Sequence, residues 1–199
     1  MAANPVRVGF IGANGRWGPG AHAPALQRLP EVELYAVCTA HADTAQAAAD
    51  KYGVKRAYSD VKAMSADPQV DVALVAVRVP AHYALSKAAI EAGKHVYCEW
   101  PLGADTAEAE ALAALARQKN VKTMVGLQRR ASPAYLYLRE LVKDGYVGQV
   151  LSVHMTHMGS GVLTRTSDRT WQRDVNLGAN TLTITLGHSM DALCMVAGE

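Results

Sequence analysis

VRVGFIGANGRWGPG, residues 6–20, decides the fold. It begins apolar, with Val6, Val8, Phe10 and Ile11 around Gly9, and then breaks into four glycines, Gly12, Gly15, Gly18 and Gly20. An apolar strand that runs into a glycine-rich turn and then a helix builds a phosphate cradle. The glycines let the main chain turn sharply and approach a pyrophosphate, and the helix behind them offers free N–H groups and a partial positive charge. The usual dinucleotide-binding spacing is G-x-G-x-x-G. Here it is G-x-x-G-x-x-G over Gly12, Gly15 and Gly18, one residue longer in the first turn. Alone, the turn is a weak signal, because a bland glycine-rich turn explains it equally well; a following βαβ unit gives it meaning.

The rest of the chain supplies that context. Pro24 fits only a first helical turn, so a regular helix starts near Ala23, and Pro30 ends it. Residues 32–38 (VELYAVC) read as the second strand. Asp43 with Gln46 reads as a capping box for a helix to Tyr52, stopped by Gly53. A short strand over 56–59 and a short helix over 60–65 follow. Residues 70–77 (VDVALVAV) form a strand buried on both faces, as in a parallel sheet. Pro80 opens the next helix, Gly93 closes it, and 95–98 is another buried strand. Asp105 and Glu108 cap a helix that reaches Asn120. A strand over 121–127 follows, then a helix from Ser132-Pro133 to Gly145. Strands alternating with helices predict an α/β fold, a doubly wound parallel sheet (Rossmann), over residues 1–127. From Gly148 the pattern changes. QVLSVHMTHM alternates like a half-exposed strand of an antiparallel or mixed sheet, followed by a polar stretch (160–174) and a helix-like end (182–196). Residues 128–199 are therefore expected to be a crossover helix and the start of a smaller α+β domain. The final VAGE stops where a longer chain would continue, so the chain is expected to be the front part of a larger protein.

Composition narrows the function classes. The chain has 199 residues, half of them apolar, one Phe, and a net charge of +2 with both signs interspersed. That balance gives no electrostatic support for direct nucleic-acid contact or membrane-surface binding. No apolar run is long enough for a membrane span and no secretory leader is visible. Cys38, Cys98 and Cys194 are far apart, and read as thiols of a reducing, cytoplasmic setting. His154 and His157 are three apart in a strand-like run and so face opposite ways, and no metal cluster is expected.

Three stretches together resemble the Gfo/Idh/MocA oxidoreductase family: the glycine turn, VRVPAHYALSKAAIEAGKHVYCEWPL (residues 77–102), and GLQRRASPAYLYLRELVKDGYVGQV (126–150). The second is similar to the family's run around TPxxxH … ALEAGKHVxxEKPL, the third to its crossover into a second domain. The resemblance implies an NAD(P)-dependent oxidoreductase acting on a sugar, polyol or related hydroxyl/carbonyl substrate by hydride transfer. It also implies a homo-oligomer if the protein is full length. Two departures stand out. The lysine of the family's E-K-P is Trp100, whose indole carries one N–H and no charge. The first Asp of the family's D-x-G-x-H-x-x-D is Ile184, while His188 and Asp191 remain. E-W-P-L and I-T-L-G-H-S-M-D are closer to a branch that includes the fungal repressor of galactose genes, which binds NAD(P) but acts as a transcriptional regulator through a protein partner. Enzyme is the first expectation and catalytically silent regulator the second.

The candidate site follows. Gly12, Asn14, Gly15, Arg16 and Trp17 are expected around the pyrophosphate. After the second strand stand Thr39, Ala40 and His41 rather than the acid that binds a ribose 2′-OH in NAD-preferring proteins. Thr39, His41 and Arg16 are therefore expected at a 2′-phosphate, which favours NADP over NAD, and Asp43 is read as a cap. Arg78, Pro80 and His82 follow the fourth strand at the carboxyl end of the sheet. The resemblance puts His82, Glu99, Trp100 and Pro101 on the nicotinamide side, Pro101 as a candidate cis proline. It leaves His188 as the one acid/base, its near-neutral intrinsic pKa suited to that work, with Trp100, Arg129 and Asp191 toward the substrate.

Overall fold

The computed structural model describes residues 4–158, 167–180 and 182–198. The chain divides into two compact units, Met1–Val125 and Gly126–Glu199.

The first unit is a six-stranded parallel sheet: β1 (Val6–Ile11), β2 (Val32–Cys38), β3 (Arg56–Tyr58), β4 (Val72–Val75), β5 (His95–Glu99) and β6 (Thr123–Gly126), in the order β3-β2-β1-β4-β5-β6. Chain order reverses between β1 and β4, so a crevice opens at their carboxyl ends, where ligands bind in such sheets. Helices cover both faces. Alternation along β1 sends Val8 and Phe10 to one side, where they pack with Val37, Leu74, Ala23 of α1 (Ala23–Leu26) and Ala48 and Ala49 of α2 (Ala42–Tyr52). Ile11 goes to the other side, with Cys38, Val75, Met64 of α3 (Val61–Ala66), Ile90 of α4 (His82–Glu91) and Leu112 of α5 (Thr106–Lys119). Gly9 shares that second face, where a Cβ would sit 2.8 Å from Met64 Sδ.

Local signals account for most boundaries. Asp105 accepts from Glu108 N at 2.9 Å, and Glu108 returns the bond one residue earlier than a standard box, to Ala104 N at 2.7 Å. Asp60 caps α3 through Lys62 N. Gly53 and Asn120 end α2 and α5 in the left-handed region. Two expectations are corrected. Asp43 is not the N-cap of α2: His41 is, and among the described residues Asp43 accepts only from its own neighbour, Thr44 N, at 2.8 Å. Gln46 does not complete a box but bonds Asp50 one turn on. The regular helix α1 starts at Ala23 as expected, and a π-helical turn over Gly18–His22 leads into it.

The second unit holds α6 (Pro133–Lys143) and α7 (Gly187–Ala197), the latter entered through a π-helical turn over Leu182–Leu186. Arg129 donates to Ser189 Oγ at 2.9 Å and Arg130 grips Asp191 with both Nε and Nη2, tying the start of the crossover to α7. The half-exposed strand expected over 149–158 is absent. The segment runs without a ladder, since no strand among the described residues of this unit pairs with it, and an extended segment alone is not stable as a sheet. An apolar groove of about 510 Å³ opens here, lined by Tyr135, Leu138 and Val142 of α6, Val150 and Met155 of the extended segment, and Val196 of α7. Part of the polar stretch expected over 160–174 lies outside the described residues; 167–173 form a 3-10 turn.

Gly12 has φ +88°, and a Cβ on it would meet Ala76 O at 2.5 Å; nothing lies within 4 Å of a Cβ on Gly20. Gly12→Ala should therefore cost about 2 kcal/mol or more, while Gly20→Ala stays within about 0.5 kcal/mol, both read from urea unfolding midpoints.

Candidate dinucleotide site

Four carboxyl-end segments of the first unit supply the site. The β1 turn is the tightest. Gly12 N donates to Cys38 O at 2.9 Å and Gly15 N to Gly12 O at 2.8 Å, which folds the main chain back on itself. A Cβ on Gly15 would lie 3.0 Å from Gly12 O, and one on Gly18 2.9 Å from Ala13 O. Gly12, Gly15 and Gly18 are thus required by close main-chain approach, and Gly20 is not. Tyr52 at the end of α2 steadies the turn by donating its hydroxyl to Ala13 O at 3.1 Å. Asn14, Arg16 and Trp17 are exposed at the rim, Trp17 to 61%. A cradle whose glycines leave no room for side chains fits a pyrophosphate.

The β2 end is arranged differently from the sequence expectation. Thr39 is buried, and its hydroxyl lies 2.9 Å from His41 O and 2.7 Å from Thr44 Oγ1, so it is committed within the loop. His41 is exposed at the head of α2. Asp43, released from capping, sits exposed in the first turn beside it.

After β4 and β5 the walls are tied together by His82. It is 1% exposed; Nδ1 lies 2.7 Å from Pro101 O and Nε2 3.1 Å from Val77 O. Burial pushes its pKa down, against the raising pull of the two carbonyls. His82 is therefore a brace between the two loops, not a group open to a ligand. Arg78 and Pro80 are exposed on the first loop. On the second, the Trp100–Pro101 peptide is cis, Trp100 is half-buried and Pro101 is buried.

Glu99 is half-buried, and its Oε1 lies 2.9 Å from Nε2 of His22. Tyr97 donates its hydroxyl to the same oxygen at 3.4 Å, and burial, then Glu99, push the Tyr97 hydroxyl up to about 12. Cys98 is buried and its thiol is likewise pushed up to about 12, first by burial, so it is no nucleophile at neutral pH. Sequence reasoning missed His22 and Tyr52. Each pairs with a residue tens of positions away, and no local spacing reports that.

Arg129, His188 and Asp191 belong to the second unit. Arg129 and Asp191 are engaged there with Ser189 and Arg130, and His188 is half-buried in the first turn of α7. Among the described residues no three His, Cys, Asp or Glu side chains gather as a metal site would need, and no helix is long and apolar enough to cross a membrane.

Comparison with known proteins agrees with this geometry. Residues 6–127 match the Gfo/Idh/MocA family, described as an oxidoreductase family with an NAD-binding Rossmann fold, and residues 133–199 match the C-terminal domain of Gal80p. The dehydrogenase aclE of Aspergillus oryzae is 35% identical over 98% of this chain and 55% of its own. Among solved structures, the transcriptional regulator Gal80p of a Kluyveromyces yeast superimposes with a TM-score of 0.89 at 26% identity, over 100% of this chain and 53% of its own. A levoglucosan dehydrogenase in complex with NADH and levoglucosan superimposes at 0.88 and 27% identity, over 98% of this chain and 55% of its own. The chain spans about half the length of the curated relatives it matches.

Replacing His82 by Ala removes the brace and leaves a hole. The variant should lose about 2–4 kcal/mol of unfolding free energy by urea titration; a loss under about 0.5 kcal/mol would mean that the two loops hold without it.

Proposed function

Because the chain belongs to the Gfo/Idh/MocA oxidoreductase family, we propose that it binds NAD(P) across the carboxyl ends of its parallel strands and interconverts a hydroxyl and a carbonyl on a sugar, polyol or related small molecule. The observation that carries this reading is the β1 turn, whose glycines are held so close to neighbouring main chain that only an unhindered backbone fits. Gly12, Asn14, Gly15, Arg16 and Trp17 take the pyrophosphate. Arg78, Pro80, Glu99, Trp100 and Pro101 form the nicotinamide side, with His82 bracing it. With Thr39 committed to its own loop, the 2′-phosphate reading rests on Arg16 and His41, and the exposed Asp43 opposes it. Two donors against one carboxylate keep NADP ahead of NAD.

A bound nicotinamide supplies hydride-transfer chemistry. The chain's own part is proton handling and shape. His188 takes the proton of the substrate hydroxyl in oxidation and returns it in reduction, a role its ring suits near neutral pH. Trp100 offers a flat apolar wall where the family's lysine would offer charge. Arg129 and Asp191, which Ser189 and Arg130 engage, stand on the substrate side. The support for these three roles is the resemblance in sequence. A second reading, an NAD(P)-binding regulator that works through a protein partner, is favoured by Trp100, by Ile184 in place of an acid, and by the match of residues 133–199 to Gal80p.

Titration of the purified chain with NADPH and NADH, followed by tryptophan fluorescence, tests both. Saturable binding is expected, tighter for NADPH. Arg16→Ala should weaken NADPH about tenfold and NADH much less, and Asp43→Asn should favour NADPH further. Turnover in a sugar and polyol screen, lost in His188→Asn while NADPH affinity stays, would establish the enzyme. Saturable binding without turnover in the full-length protein selects the regulator, and no binding at millimolar nucleotide overturns the cofactor reading.

A further inference from the structure

The pair His22–Glu99 joins two parts of the site that the chain places far apart. His22 ends the π-helical turn that follows the glycines; Glu99 ends β5. Both side chains are only 16% exposed, and the ring of His22 is held edge-on between Phe10 (5.9 Å) and Tyr97 (5.7 Å). Phe10 itself is fully buried. The imidazole therefore has little freedom to turn, and its Nε2 is aimed at one oxygen of the carboxylate. Tyr97 donates to that same oxygen. Among the described residues only Oε1 is engaged, so both partners hold one side of Glu99 and leave Oε2 as the acceptor.

A carboxylate on a single flexible stem accepts from a ligand hydroxyl at an entropic cost, which a fixed orientation removes. We propose that His22 is a positioning residue of the dinucleotide site: it clamps Oε1 of Glu99 so that Oε2 faces a ribose hydroxyl of the bound dinucleotide. The inference rests on the cofactor reading above and assigns His22 a part in it. The same contact ties the helical turn behind the pyrophosphate cradle to the loop that carries Trp100 and cis-Pro101. Pyrophosphate and ribose contacts are thereby set relative to one another.

The test separates the nicotinamide half from the adenosine half. AMP reports on the adenosine half alone, NADH on both. His22→Phe keeps a flat ring in the Phe10–Tyr97 slot but has no donor. It should weaken NADH about tenfold and AMP less than about twofold. His22→Gln retains an N–H donor and should recover part of the loss. Glu99→Gln should weaken NADH similarly, and the double variant should be no weaker than the worse single one, because each removes the same contact. Unchanged NADH affinity in His22→Phe, or equal weakening of NADH and AMP, overturns the clamp. Wild-type protein that binds neither NADH nor AMP instead overturns the nucleotide reading, and the clamp with it.

Discussion

Everything at the carboxyl edge of the sheet depends on how closely the β1 turn lies against the end of β4. A single Cβ at Gly12 would come within 2.5 Å of Ala76 O and 2.7 Å of Val77 Cγ1. That contact sits at the reversal of strand order, where the sheet opens its crevice. With Gly12 in the left-handed region the chain turns at once, Gly15 folds back onto it, and Gly18 brings the first helix down onto Ala13. Three glycines therefore do one steric job, and the tight turn is its consequence. The extra residue in the first turn is absorbed between Gly12 and Gly15, where Asn14 turns outward.

Around this turn the site is held by polar braces at the margin of an apolar core. Tyr52 reaches Ala13 from α2, His82 spans the loops after β4 and β5, and His22 pairs with Glu99. Buried polar groups are costly unless satisfied, so each brace holds its loops in one arrangement. A neutral His82 has one N–H for two carbonyls, and burial favours that neutral form. The compact 2.7 Å contact to Pro101 O fixes the loop on which Trp100 stands. In the proposed site Trp100 offers shape and stacking where the family's lysine offers a charged donor. This is why the oxidoreductase and regulator readings share one nucleotide site and part at the substrate.

The second unit follows another logic. Two adjacent arginines at its start reach separate residues of α7, so Arg129 and Arg130 are connectors before they are anything else. Asp191, expected toward a substrate, has its carboxylate gripped by Arg130. The extended segment after Gly148 presents Leu151 at 87% exposure and, with α6 and α7, lines an apolar groove.

The sheet was legible because its signals are local. Apolar β-branched runs, Asp105 as a cap, Gly53 and Gly93 as stops, and the glycine turn each report on a few neighbouring residues, and their alternation yields the parallel doubly wound fold. Its carboxyl end, and with it the neighbourhood of Gly12, Arg78 and Glu99, follows from that fold. Tertiary structure decided the rest. Asp43 looked like a cap because capping boxes are recognised by spacing, yet α2 began two residues earlier and His41 took the position. Thr39 looked available, but its hydroxyl is spent on His41 O and Thr44. The QVLSVHMTHM alternation is a true strand pattern, but a ladder needs a second strand, and none among the described residues of that unit pairs with it. His82 became a brace, and His22 became the partner of Glu99, through contacts 19 and 77 positions apart in the chain. Such pairings carry no sequence period, because they exist only after the sheet has brought the ends of its strands together.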